Sequence, residues 1–185
     1  ATKAYTDVVV TSTNARQIVE SFPKDQKLIF GPDRNLGAYI NSVTGRDMLL
    51  WDGACHVHER FSLEKLVDLK RQYPTAKILV HPECQGPVVN LADVVGSTAA
   101  LLNYAVRSEH DTFLVATESG ILHEMQRQAP QKQFIPVPPD DSTCACNECN
   151  YMKLITLAKV YNSLRYEWPT IEVPAEVCEK AVQPI

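Results

Sequence analysis

The chain has 185 residues, 45% hydrophobic and 22% charged, with a formal net charge of -4. That supplies core for one or two small domains and excludes disorder as the main state. The acidic balance, without a Lys/Arg stripe, excludes a nucleic-acid footprint, and with no bilayer-length apolar segment or secretion signal the expectation is a soluble, cytoplasmic protein with reduced thiols.

Taken in chain order, short β-branched or apolar runs are each followed by a turn and a segment of helical period, the βα alternation of a parallel sheet. The first expected strand is Asp7-Val8-Val9-Val10, ending at Thr11-Ser12, with Asn14 opening a helix over Ala15 to Phe22 whose Ile18, Val19 and Phe22 share a face. Leu28-Ile29-Phe30 is the second, before Gly31-Pro32-Asp33 and a helix through Leu36 and Ile40. Met48-Leu49-Leu50-Trp51 is the third, ending at Asp52-Gly53-Ala54-Cys55. After Ser62, the residues Leu63, Leu66 and Leu69 mark an amphipathic helix that stops near Pro74. Ile78-Leu79-Val80 then runs into His81-Pro82-Glu83-Cys84, Val94-Val95 into Gly96-Ser97-Thr98, and Phe113-Leu114-Val115-Ala116 into Thr117-Glu118-Ser119-Gly120. A polar loop from Pro138 to Asn150 precedes a long helix from Tyr151 bearing Leu154, Leu157, Val160 and Leu164, and a tail in which Cys178 reads as a small hydrophobe. A domain boundary is expected near Arg60.

The chemically distinctive residues follow the carboxyl ends of these strands, where open α/β sheets bind ligands. Ser12, Asp33, Cys55, His81, Glu83, Ser97, Thr98 and Glu118 therefore line one side of their sheets. His81 and Glu83, two apart around Pro82, can share a cleft, where an imidazole beside a carboxylate suits proton transfer; a locally ordering His–Glu pair is the plainer alternative. Gly96-Ser97-Thr98 opens a helix whose first amides and hydroxyls could hold an anion, although ordinary capping accounts for the same residues.

Cys144, Cys146 and Cys149 place three thiols within six positions. They could bind zinc, giving a noncatalytic interaction module, but no nearby fourth ligand closes that site. An iron–sulfur cluster is the other reading, because clusters take thiolates from distant parts of a chain, and Cys55 is then the distant ligand.

Five ordered motifs resemble the quinolinate synthase (NadA) family: Thr11-Ser12-Thr13-Asn14-Ala15, Phe30-Gly31-Pro32-Asp33-Arg34-Asn35-Leu36-Gly37, Trp51-Asp52-Gly53-Ala54-Cys55-His56-Val57-His58-Glu59, His81-Pro82-Glu83-Cys84 and Cys149-Asn150-Tyr151-Met152. The resemblance covers nearly the whole chain. It implies three αβα domains about a pseudo-threefold axis, each giving one cysteine to a [4Fe-4S] cluster, and an enzyme of NAD biosynthesis that condenses iminoaspartate with dihydroxyacetone phosphate. L-aspartate oxidase or aspartate dehydrogenase is the implied source of iminoaspartate. On this chain the implied cluster ligands are Cys55 and Cys149, the proton-transfer residues His81 and Glu83, and the substrate contacts Ser12, Thr98, Ser97 and His58, the last close to the cluster. Cys84 is not among the implied ligands, and Cys144 and Cys146 are extra thiols with a redox or disulfide role.

The implied organisation is a truncated second αβα domain over 1–59, a third over 60–150, and a C-terminal helix and tail over 151–185. The family's first domain, with the third cluster cysteine, would precede Ala1, so the isolated chain is expected to be inactive. Diphthamide-synthesis enzymes also use a three-domain, three-cysteine scaffold, but His81-Pro82-Glu83 and Asp33 favour the quinolinate reading.

Overall fold

The computed structural model describes residues 2–141 and 147–185, so Cys144 and Cys146 lie outside the described residues. Two units are distinguished, residues 12–149 and residues 2–11 with 150–185, and each has its own architecture.

In the larger unit, α1 (Ala15–Ser21) buries Ala15 and Val19. Two short strands, β1 (Ile29–Phe30) and β2 (Leu49–Leu50), pair in parallel with Ile29 opposite Leu49. Between them runs α2 (Arg34–Thr44), whose start is fixed by the Asp33 carboxylate accepting from the backbone of Asn35 and Leu36. Leu36 and Ile40, one turn apart, are buried, and the helix ends at Gly45 with φ 66°, the left-handed cap that glycine adopts without a Cβ clash. Gly37 lets this helix approach its sheet: a Cβ there would lie 2.5 Å from the Leu50 side chain.

The second sheet contains β3 (Lys77–Val80), β4 (Val94–Val95), β5 (Thr112–Ala116) and β6 (Gln133–Pro136), all parallel, in the order β4-β3-β5-β6. Alternation along β3 and β5 divides the core into two faces. Ile78, Val80, Leu114 and Ala116 pack on one side with Leu66 of α3 (Leu63–Gln72) and Val88 of the single-turn α4 (Gly86–Val89). Leu79, Phe113 and Val115 pack on the other with Leu101 and Ala105 of α5 (Thr98–Arg107) and Met125 of α6 (Gly120–Gln128). The result is an α/β fold with helices on both faces of a parallel sheet. Leu79 is fully buried at the centre of this core. Leu79→Ala should cost about 2–5 kcal/mol of unfolding free energy, read as a lower urea midpoint at unchanged slope.

Two of these elements were not expected. β6 is an edge strand ending in Pro136, which an edge tolerates because one side of the strand needs no ladder donor. α4 is too short to carry a helical period and is held by its packing.

In the smaller unit the expected strand Asp7–Val10 does not form. Among the described residues no strand pairs with it, and the Val9 N–H instead donates to the Pro184 carbonyl at 2.8 Å. The expected long helix from Tyr151 is a 3₁₀ turn over Met152–Leu154 followed by α7 (Leu157–Tyr166). The Thr156 hydroxyl accepts the Lys159 N–H and sets the start of α7. Leu157 and Leu164 of α7 are exposed. In α8 (Ala175–Val182), which packs on the Thr2–Tyr5 turn, Cys178 is exposed rather than buried. No helix of the described residues is long and apolar enough to cross a membrane.

Candidate functional site

Strand order locates the site. From β3 the chain passes through α4 on one face to β4, then returns through α5 on the opposite face to β5 on the other side of β3. The direction of winding reverses beside β3, and the crevice at the carboxyl ends of such strands is where open α/β sheets receive ligands. His81 and Thr117 are the first residues beyond β3 and β5, and both are buried. The His81 N–H donates to the Ala116 carbonyl at 3.0 Å, and the Cys84 N–H closes a turn onto the His81 carbonyl at 3.0 Å. That turn brings Glu83 back toward the sheet end.

The loop after β2 delivers the remaining groups. A bond of 2.9 Å from the Glu59 N–H to the Cys55 carbonyl and the short 3₁₀ helix His58–Arg60 curl this segment, and Phe61 makes an antiparallel bridge with Pro139. Cys55, His58 and Glu83 thereby converge, one ligand atom of each lying within 4.8 Å of the others. His58 Nδ1 is 3.1 Å from Glu83 Oε2, and its Nε2 is 3.1 Å from Thr117 Oγ1. The His81 ring stacks on the His58 ring with centroids 4.3 Å apart and planes 21° from parallel.

A hydrogen bond selects the His81 tautomer. The Glu83 backbone N–H donates to His81 Nδ1 at 3.3 Å, so in the neutral ring the proton sits on Nε2, which is 3.3 Å from Ser12 Oγ. The two imidazoles are driven in opposite directions. Burial disfavours a charged His58, but its bonds with Cys55 and Glu83 outweigh that and raise it to about 9. Burial lowers His81, and the neighbouring His58 charge lowers it further, to about 4, against the pull of Glu83. The His58 hydrogen bond lowers the Cys55 thiol despite burial. Burial raises Glu83, yet the His58 bond, with the neighbouring imidazoles, brings it below its ordinary value. The site thus sets a thiol and a carboxylate, both of lowered pKa, against a His58 imidazolium, beneath a neutral His81 imidazole that carries a proton on Nε2.

Around it, Glu59 ties the two sheet systems together. Its carboxylate accepts from Arg34 at 2.7 Å and Asn35 Nδ2 at 2.7 Å, while Asn35 also donates to the Glu83 carbonyl at 3.1 Å. Gln85 donates to the Glu59 carbonyl at 2.9 Å, and Arg34 is further paired with Asp52. Burial raises Glu59, but the bonds from Asn35 and Arg34 bring it below its ordinary value. Neither Thr117 nor this clamp follows from sequence spacing; only the adjacency of Arg34 and Asn35 to Asp33 could have pointed to it.

The other expected site residues are placed as follows. Ser97 is buried and its hydroxyl caps α5 by accepting from Ala100 at 3.3 Å, while Thr98 occupies the first turn of α5 beyond β4. Cys149 is half-buried, its N–H donating to Glu118 Oε1 at 3.2 Å. Among the described residues it does not belong to the Cys55, His58, Glu83 group. Cys84 is buried, donates to the Ala116 carbonyl at 3.4 Å, and has its thiol pushed up by burial. Alkylation of the metal-free chain by iodoacetamide, followed by peptide mapping, should therefore label Cys55 well before Cys84.

Comparison with known proteins agrees in extent with these motifs. A family profile, NadA: Quinolinate synthetase A protein, matches residues 1–185. A quinolinate synthase from Synechococcus sp. is 52% identical over 183 residues, covering 99% of this chain and 57% of the relative. One from Thermosynechococcus vestitus is also 52% identical, and one from Chloroherpeton thalassium 49%, with the same coverage. The chain thus spans somewhat over half the length of the curated relatives it matches. A match across every residue, at about half identity, means that the chain belongs to the quinolinate synthase family.

Proposed function

We propose that the chain is the C-terminal portion of a quinolinate synthase that condenses iminoaspartate with dihydroxyacetone phosphate at a [4Fe-4S] cluster in the cytoplasm. In this reading residues 1–59 and 60–150 belong to the second and third of three pseudo-threefold αβα domains and 151–185 form a C-terminal helix and tail. The first domain of the family supplies the third cysteine. The observation that carries the proposal is the convergence of Cys55, His58 and Glu83 beside a neutral His81. Within that group Cys55 is the thiol, and its lowered pKa and place at a strand-end crevice suit it as a cluster ligand, since clusters are held by thiolates. Cys55 and Cys149 would hold the cluster. When bound, it supplies an open iron that acts as a Lewis acid on substrate oxygen or nitrogen.

The remaining chemistry belongs to side chains. His81 Nε2–H, beside Ser12 Oγ, can give a proton to a departing hydroxyl, and the Glu83 carboxylate can take one from carbon. Protonated His58 lowers the pKa of both Cys55 and Glu83 and so favours their charged forms. Ser97 and Thr98, at the start of α5, place free amides where a substrate phosphate or carboxylate is stabilised. Ser12 completes the polar lining.

The test uses the intact protein, reconstituted without oxygen and supplied with dihydroxyacetone phosphate and with iminoaspartate made in situ by L-aspartate oxidase or aspartate dehydrogenase. Iron and sulfide in cluster stoichiometry, a broad visible absorption and quinolinate release are expected. Zinc in place of iron, or no quinolinate from a fully loaded protein, would overturn the reading.

A further inference from the structure

The two proposed cluster cysteines, far apart in sequence, are held at the backbone in the same way. The N–H of Cys55 donates to Asp33 Oδ2 at 2.5 Å, and the N–H of Cys149 donates to Glu118 Oε1 at 3.2 Å. In each case the second carboxylate oxygen is committed to a helix start. Asp33 Oδ1 accepts from Asn35 at 2.8 Å and Leu36 at 3.1 Å, at the head of α2, and Glu118 Oε2 accepts from Gly120 at 2.7 Å, at the head of α6. Asp33 follows β1 and Glu118 follows β5, so each carboxylate joins a strand end, a helix start and a cysteine. Asp33 is buried. Capping alone does not account for this arrangement, since one acceptor oxygen suffices for a cap and Ser62 and Ser97 perform it with a hydroxyl.

Resting on the reading of Cys55 and Cys149 as cluster ligands, we infer that Asp33 and Glu118 are paired positioning residues. They fix the two cysteine backbones and draw the cysteine N–H groups away from sulfur, keeping the cluster's reduction potential low. The physical basis is that hydrogen bonds to the sulfurs and nearby charge set the potential. An N–H aimed at a thiolate favours the more negative, reduced state. A carboxylate that claims the N–H removes that assistance and adds negative charge of its own. Only a carboxylate can accept on both sides; an amide has one acceptor oxygen, and its other face is a donor. Asp33→Asn and Glu118→Gln therefore preserve size and can preserve the helix cap, but cannot cap the helix and hold the cysteine at once.

The experiment takes the intact, reconstituted protein carrying Asp33→Asn or Glu118→Gln and measures two quantities besides activity: the midpoint potential by EPR-monitored titration, and the rate of iron loss to a chelator. Each variant should shift the potential in the positive direction and retain iron on the order of 10- to 100-fold less well, the usual effect of losing a group that orients a metal ligand. Ser62→Ala, which removes a helix cap that touches neither cysteine, serves as the folding control. The inference is overturned if both variants keep the parent potential and chelation rate, or if Ser62→Ala reproduces their changes. Cys55→Ala and Cys149→Ala separate this outcome from failure of the underlying reading. If those two lose the cluster while Asp33→Asn and Glu118→Gln behave as the parent, the ligand assignment stands and the positioning role falls. If those two keep the cluster, the ligand assignment itself falls.

Discussion

Cys55→Ala is expected to abolish both the visible iron–sulfur absorption and quinolinate formation in the intact protein, while leaving its thermal unfolding nearly unchanged. Cys55 is half-buried in a loop, so truncating it to alanine leaves no core cavity and should cost about 1 kcal/mol or less. The same change removes a thiol whose pKa is lowered through a hydrogen bond with His58, and thiolate is the form that binds iron. The neighbours cannot substitute: His58 is engaged with Glu83 and Thr117, and Cys84 lies inside the core, bonded to the Ala116 carbonyl. Cys84→Ala is the matched control, since it removes a buried thiol of the same size from the same region. It should lose some stability yet retain iron. A Cys55→Ala protein that still binds iron and sulfide in the parent ratio would remove Cys55 from the ligand set, and one that unfolds many degrees earlier would assign it a structural part instead.

Much of this site was legible because its parts obey one-dimensional rules. Ile78-Leu79-Val80 is a continuous apolar run, as a strand covered on both faces must be, and the residues that follow it leave the sheet at its carboxyl end. The same logic placed Asp33, Cys55 and Glu118 at the ends of β1, β2 and β5. What was not legible depends on partners distant in sequence. Asp7–Val10 is more β-branched than β3, but with no neighbouring strand among the described residues the Val9 N–H turns to Pro184. β6 has weak periodicity and forms because β5 offers a free edge. Thr117 looked like an ordinary strand-end residue until the His58 loop came to lie over it. The Glu59 clamp gathers Arg34 and Asn35 from the head of α2 and Gln85 from the turn before α4, and each is an ordinary polar residue alone. Charge state is the least legible property: His58 and His81 are the same residue type in contact, and only the placement of Cys55 and Glu83 against His58 decides which is charged.

That division of charge gives His81→Asn two measurable consequences. In the loaded, intact protein the quinolinate-forming rate should fall about 10²- to 10⁴-fold, the range for loss of a positioned acid or base. Because the proton moves in the transition state, the loss should fall on kcat with KM little changed. The second consequence appears without substrate or metal. His81 titrates near 4 in the folded protein against 6.5 for an ordinary histidine, so between those values the unfolded chain binds a proton that the folded chain refuses. Stability therefore falls as pH drops from about 6.5 toward 4, by an amount on the order of 3 kcal/mol, and above 6.5 both states are neutral at this position and it contributes nothing. Asparagine cannot titrate, so this part of the acid limb should flatten in His81→Asn. Urea unfolding of the metal-free protein at pH 6.5 and pH 4.5 reads it directly, as a parent midpoint that drops more than the variant's. Equal drops would mean that His81 is not held neutral by the His58 stack. A variant that flattens the acid limb but turns over at the parent rate would separate the electrostatics of the stacked pair from proton transfer, leaving the catalytic part to Glu83.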